Sequence, residues 1–364
     1  MAEPSKPRAR KPRKAPPANG ADMKPAPPKD AIDRFFGLTA QGSSVGTESP
    51  RRPRDLHYTM AYIMFVNPVI LQQAGMDHGA VFVATCLAAA AAGSLIMGLY
   101  ANYPIALAPG MGLNAYFAFT VVPELDGNWQ LALAPVFISG LLFLALSLSP
   151  LRAWLIDAIP LNLKLGIAAG IGFFLALIGL QNAGVVAADP TNLVALGDLS
   201  KPETLLAAAG FLVIAGLAVR KIPGAIIIGM LAITLIAVAA GLGPWHGIAA
   251  MPPSLAPTFF AIDLAGAFRL GLVTIVLTLL LVTILDTTGT LIGVARQAGR
   301  TGLTAIAVAA LFLLALFLAP LAQTVPAYAT APALFFVACL MAASLGAISW
   351  ETPPSTSPRS SSPL

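Results

Sequence analysis

Charge is what this chain lacks most. Lys, Arg, Asp and Glu make up 10% of its 364 residues, against ~25% in an ordinary soluble domain, which excludes a water-soluble globule. Cysteine is nearly absent too. The two present, Cys86 and Cys339, both sit inside apolar runs, where small buried residues explain them better than a disulfide framework or a metal site. The three histidines, His57, His78 and His246, stand at or beyond the ends of such runs, so no cluster of them suggests a metal. Also missing are a P-loop, a G-x-S-x-G turn and any metal-ligand spacing, and with them the common soluble enzymes. The run GMGLNA (110–115) departs from G-x-G-x-x-G and lies in an apolar stretch rather than a strand–turn–helix unit.

What is present is apolar surface: 57% of the residues are hydrophobic and the mean hydropathy is +0.81. It comes in blocks of about twenty, the length that crosses ~30 Å of hydrocarbon at 1.5 Å per residue. The blocks predict ten membrane spans, near 58–75, 80–100, 103–122, 131–149, 164–186, 204–220, 222–242, 268–292, 303–319 and 326–346. Ahead of them, residues 1–56 hold twelve Lys/Arg and six Asp/Glu among much Pro and Ala. This stretch reads as a disordered basic tail without a signal-peptide core. Beside a multispan body its expected role is to hold the amino terminus in the cytoplasm rather than to bind nucleic acid. Starting from that side, Arg152, Lys164, Arg220, Lys221, Arg296 and Arg300 fall in inner loops. The outer loops (75–79, 123–130, 187–203 and 243–267) carry Lys201 against several acids, and Arg269 at an outer edge is the mild exception. The alternation places both termini in the cytoplasm.

Two spans are unusual. The third, YPIALAPGMGLNAYF, contains Pro104, Pro109, Gly110, Gly112 and Asn114, and the eighth carries Gly289 and Gly293 in DTTGTLIGV. Single glycines are commonly packing residues. Two Pro, two Gly and an Asn within eleven residues predict a broken helix, the usual pointer to a transporter's midplane site. Asp286 is the one ionisable side chain far from a segment end. An unpaired acid there costs ~2.5–3.5 kcal/mol on insertion scales and faces a cavity or a partner. Loss of water favours the neutral acid, which suits a group that takes up and releases a proton. The bland alternative is a structural acid satisfied by Thr283, Thr287, Thr288 or Thr290. Asn67 and Asn114 are amides in apolar runs; each can donate and accept, as a purine edge requires, or can simply bond one helix to another. At Asn67, beside Pro68, the structural reading is at least even; at Asn114 the site reading weighs more.

Several long runs carry a resemblance: TMAYIMFVNPVIL (59–71), MGLYANYPIALAPGMGLNAYFAF (97–119), AIPLNLKLGIAAGIGFFLALIGLQNAG (158–184), LDTTGTLIGVARQAG (285–299), RTGLTA (300–305) and PAYATAPAL (326–334). On these the chain resembles the AzgA-like adenine/guanine/hypoxanthine permeases, a branch of the nucleobase–cation symporters, from about residue 36 to 350. The resemblance implies an all-α membrane fold of two inverted seven-span repeats. It implies a purine site between the third, eighth and tenth spans, and a homodimer is left open as an assembly. Carried onto this chain, the substrate-binding residues are Asp286, Thr290, Asn114, Gly110 and Gly112. Asp286 would also couple binding to a proton, and backbone at Gly110 and Gly112 would approach the ring. No cofactor and no metal is expected.

The chain also departs from that pattern. Gly299 runs straight into Arg300, where the family has its ninth span and most of its tenth, with a second site carboxylate. After Trp350 and Glu351 the sequence becomes a polar Pro/Ser tail, and Thr283 stands where the family often has an Asp. The expected organisation is a basic tail (1–56), a permease domain (57–348) with a junction near 299–300, and a polar tail (349–364). About ten spans of an incomplete seven-plus-seven fold are expected in the plasma membrane. The expected function is proton-coupled purine uptake. The alternatives are an inactive truncated remnant, and a non-transporting membrane protein that binds a partner through its basic tail. A like fold carrying uracil, xanthine or an anion is disfavoured by APGMGLNAYF and DTTGT.

Overall fold

A computed structural model describes residues 61–150, 160–270, 272–295 and 302–348, together with Asp33 and Phe36. The expectations for the two tails, His57, Arg152, Arg296 and the 299–300 junction lie outside the described residues.

Helices dominate, because long runs of Ala, Leu, Ile and Gly in this chain can satisfy their backbone only internally. The first segment gives α1 (Ile63–Gln73). The second gives α2 (His78–Ala84), a π-helical stretch (Thr85–Ala92) and α3 (Gly93–Leu99). Asp77 starts α2 by accepting the Ala80 amide at 2.7 Å. The third segment gives α4 (Met111–Tyr116), a second π-helical stretch (Phe117–Val121) and α5 (Val122–Glu124). Then follow α6 (Trp129–Ser147), capped by Asn128, and α7 (Leu161–Asn182). Next are α8 (Pro202–Val219) and α9 (Ala225–Ala239). α10 (Leu264–Leu270) begins in the predicted outer loop, and α11 (Val273–Ala295) covers most of the eighth segment. The chain continues in α12 (Leu303–Ala315), a short 3₁₀ turn, α13 (Ala319–Thr324) and α14 (Ala327–Ala342).

Among the described residues, five helical segments are long and apolar enough to cross a membrane: Trp129–Ser147, Asn162–Asn182, Pro202–Val219, Leu303–Thr324 and Ala327–Gly346. Four shorter apolar helices, Ile63–Gln73, His78–Leu87, Ala225–Ala239 and Val273–Thr287, fall in other predicted segments. The third predicted segment is helical only from Met111 onward; residues 101–110 have no helical structure. In the predicted outer loop at 187–203 the structure adds a feature that hydropathy did not indicate. There β1 (Val186–Asp189) pairs antiparallel with β2 (Leu193–Leu196), Val186 opposite Leu196 and Asp189 opposite Leu193. Its three-residue loop closes with Leu193 at φ 68°, the left-handed position such loops need.

Packing divides the helices into groups. α7 lies along α14, which also holds α8 and α9. This close approach needs small residues, since a Cβ at Gly179 would sit 3.2 Å from the Ala331 carbonyl oxygen, the usual device for helix contact in lipid. α12 packs on α3 and the first π-helical stretch, and α11 on α6. Between the groups, α4 touches α1, α7 and α11. The outer faces keep large exposed apolar side chains, among them Leu141, Leu212, Leu235 and Leu314. So much exposed apolar surface is foreign to a soluble monomer.

Candidate functional site

The site begins with an interruption. Residues 101–110 form no helix until Gly110 (φ −72°, ψ 116°) caps the start of α4. Backbone without a helical ladder still needs partners. Ser94, fully buried on α3, supplies two of them: its hydroxyl accepts the Leu107 amide at 2.9 Å and donates to the Leu107 carbonyl at 3.2 Å. At the head of the stretch, Asn102 (φ 50°) donates to the Phe36 carbonyl at 3.3 Å and accepts the Gly302 amide at 2.8 Å. One side chain thus ties the break to the start of α12.

At its other end the break meets α11. A Cβ built on Gly110 would lie 3.4 Å from Asp286 Oδ2, so the Asp286 carboxylate rests against bare backbone at the tip of α4. Asp286 is half-buried, between the buried Leu285 and the half-buried Thr287. The sequence-predicted pair of broken third segment and eighth-segment acid is therefore in contact. Thr290 lies one turn further along α11, and its side chain falls outside the described residues.

Gly112 has a different neighbour. A Cβ there would come within 2.3 Å of Ile171 Cγ2, so its bareness admits α7 against α4, and Ile171, rather than Asp286, is the group it faces. Asn114 stands one turn beyond Gly110, its amide donating to the Gly110 carbonyl at 3.1 Å. Its side-chain Nδ2 donates to Asn67 Oδ1 on α1. Asn67 in turn donates from Nδ2 to the Thr85 hydroxyl at 2.8 Å, and Thr85 donates to the Val81 carbonyl at 2.7 Å. Asn67 and Thr85 are both buried.

Sequence reasoning named Asn67 and Asn114 separately and passed over Thr85, Ser94 and Asn102. The signal was one polar residue in each apolar run, TCLAAAAA and GSLIMGL. A lone hydroxyl is cheap to bury when it bonds back to its own helix, so it attracts no notice in a sequence. Among the described residues no group of three or more His, Cys, Asp or Glu could hold a metal ion.

Comparison with known proteins matches this architecture to a family. The Permease family profile matches residues 56–302. The adenine permease AdeP of Escherichia coli (strain K12) is 40% identical over 367 residues, covering 88% of this chain and 82% of that protein. The guanine/hypoxanthine permease PbuO of Bacillus subtilis (strain 168) is 41% identical over 348 residues, covering 81% and 80%. Among solved structures, the transmembrane domain of a cyanobacterium bicarbonate transporter, BicA, is similar at 17% identity and a TM-score of 0.48, covering 79% of this chain and 88% of that one. The chain belongs to the permease family and is an integral membrane protein, a transporter rather than an enzyme. Since 88% of 364 residues is about 320, about 47 of the 367 aligned positions hold AdeP residues with no counterpart here.

Proposed function

We propose that this permease-family chain takes up purine nucleobases (adenine, guanine or hypoxanthine) across the plasma membrane, coupled to protons. The observation that carries the reading is the contact between Gly110 and Asp286. Bare backbone at a helix break beside a half-buried carboxylate suits a flat heterocycle, which can lie on the glycine and hydrogen-bond the acid. A carboxylate at membrane depth can also change its protonation when the base arrives, which would join the two fluxes. That relatives at 40% and 41% identity are an adenine permease and a guanine/hypoxanthine permease supports the substrate class. In this reading ten segments span the membrane, both termini are cytoplasmic, and Asp286 is both base-binding and proton-coupling. Thr290 and Asn114 line the same site.

A second reading has its own support. The roughly 47 unmatched positions in the AdeP comparison equal about two spans at ~20 residues each. We assign them to the Gly299–Arg300 junction, where the resemblance expects the ninth and tenth spans. Such a loss removes one wall of the site, and the chain would then be an inserted remnant that does not transport.

Uptake of radiolabelled hypoxanthine separates the two, in cells lacking their own purine permeases that express this chain. Purine-specific uptake that disappears in Asp286→Ala at equal surface expression is the expected result. Normal insertion with no uptake would establish the remnant, and uptake unchanged in Asp286→Ala would remove Asp286 from the site.

A further inference from the structure

Asn114, Asn67 and Thr85 form a hydrogen-bonded series that runs from α4 through α1 to the first π-helical stretch. Its direction is set at the far end. Thr85 has one hydroxyl proton and donates it to the Val81 carbonyl at 2.7 Å. What Thr85 can offer Asn67 is therefore a lone pair, and it accepts Asn67 Nδ2 at 2.8 Å. With its nitrogen turned that way, Asn67 must aim Oδ1 at Asn114, which meets it with Nδ2. Turning either amide over would set oxygen against oxygen or N–H against N–H at the buried Asn67, where a lost partner is costly.

The near end of the series is where this matters. Asn114 is half-buried, and its Oδ1 makes no hydrogen bond among the described residues, yet it is not among the fully enclosed polar atoms left without one. It is an open acceptor. Asn114 also lies one turn beyond Gly110, its amide bonded to the Gly110 carbonyl at 3.1 Å, and Gly110 is the residue in contact with Asp286.

We propose that Thr85, acting through Asn67, fixes Asn114 as a hydrogen-bond acceptor at the helix break beside Asp286, so that the substrate is selected there by a ring N–H or amino donor. The proposal rests on the purine reading above and narrows it. Thr85 and Asn67 are positioning residues that never touch the base. Thr85→Val keeps the shape of the side chain but takes away the acceptor that orients Asn67. Asn67 is then free to turn over, Asn114 can follow, and the break presents either an oxygen or an N–H to the substrate.

The test is equilibrium binding of radiolabelled hypoxanthine to the full chain in lipid nanodiscs, with competition by 1-, 7- and 9-methylhypoxanthine. Each methyl group blocks one ring donor. In the unsubstituted chain at least one derivative should compete about tenfold or more weakly than hypoxanthine, the scale of an unmade buried hydrogen bond. In Thr85→Val, and independently in Asn67→Leu, that factor should fall to about threefold or less, while Thr85→Ser should restore it. A general loss of packing would lower all affinities together without changing the factor. Hypoxanthine binding retained with an unchanged factor in either variant, or a factor lost in Thr85→Ser, overturns the proposal and leaves the purine reading standing. An unsubstituted chain that binds no purine overturns both.

Discussion

The Ser94 hydroxyl spans both polar groups of Leu107, accepting from its amide at 2.9 Å and donating to its carbonyl at 3.2 Å. One side chain thereby replaces two backbone partners that an unbroken helix would have supplied. Ser94→Ala should destabilise the protein by about 1–3 kcal/mol, the cost of leaving buried polar groups unpaired. It should also weaken purine binding, because residues 101–110 lose their anchor. Thermal unfolding in detergent checks the first effect. A melting temperature equal to that of the unsubstituted chain would mean that Ser94 does not hold the break.

Gly110 and Gly112 should fail in different ways. A methyl group at Gly110 would stand 3.4 Å from Asp286 Oδ2, a tolerable contact that nonetheless covers the exposed backbone. Gly110→Ala is expected to keep its melting temperature and to lose purine affinity about tenfold or more. Affinity unchanged in this variant would detach Gly110 from the site.

At Gly112 the methyl group would stand 2.3 Å from Ile171 Cγ2, an overlap that must push α4 and α7 apart. Gly112→Ala should cost about 1–3 kcal/mol of stability, and Ile171→Ala in the same chain should recover much of it. A double mutant no more stable than the sum of the two single effects predicts would show that the two residues are uncoupled.

The start of α12 is pinned by a second backbone contact. A Cβ on Gly302 would lie 2.2 Å from the Gly98 carbonyl oxygen, and one on Gly98 would lie 2.7 Å from the Gly302 oxygen. Backbone cannot rotate aside as a side chain can, so Gly98→Ala should separate α3 from α12. The expected readout is faster hydrogen exchange in both helices; exchange confined to α3 would contradict the contact.

Outside the apolar segments, two carboxyls make the 186–201 region sensitive to acid. The Ser200 hydroxyl, then the Ser200 amide, holds the Asp198 carboxyl below the usual range; the amides of Asn192, then Thr191, do the same for Asp189. A carboxyl lowered in the folded state contributes stability that is full above its unfolded value of ~3.9 and is lost as pH falls through the folded value. The Thr191, Asn192 and Ser200 amides should therefore stay protected from neutral pH down to about 4 and open below it. Hydrogen exchange corrected for its intrinsic pH dependence measures this. Asp189→Asn should remove the acid branch at Thr191 and Asn192 and leave it at Ser200.

Much of this was legible in the chain. Pro104 and Pro109 carry no amide proton and, followed at once by Gly110, disfavour a continuous helix ladder, and residues 101–110 are indeed without one. Asp286 stood out because a lone acid in an apolar run has nowhere inexpensive to go, and it is found against Gly110. The hairpin at 186–196 was not legible, since two four-residue strands, one of them exposed throughout, carry no usable alternation. Nor was the role of Thr85, whose partner Asn67 is eighteen residues away on another helix.

The sequence by itself determined the class of protein, the place of the break and the identity of the acid, because hydropathy, proline geometry and the cost of a membrane charge act locally. Only the tertiary structure decided which glycine meets the carboxylate and which meets a neighbouring helix. Gly110 and Gly112 are two residues apart, and on a helix that separation turns their side-chain directions by about 200°. One therefore faces Asp286 on α11 while the other makes room for Ile171 on α7, a choice that depends on where those helices lie.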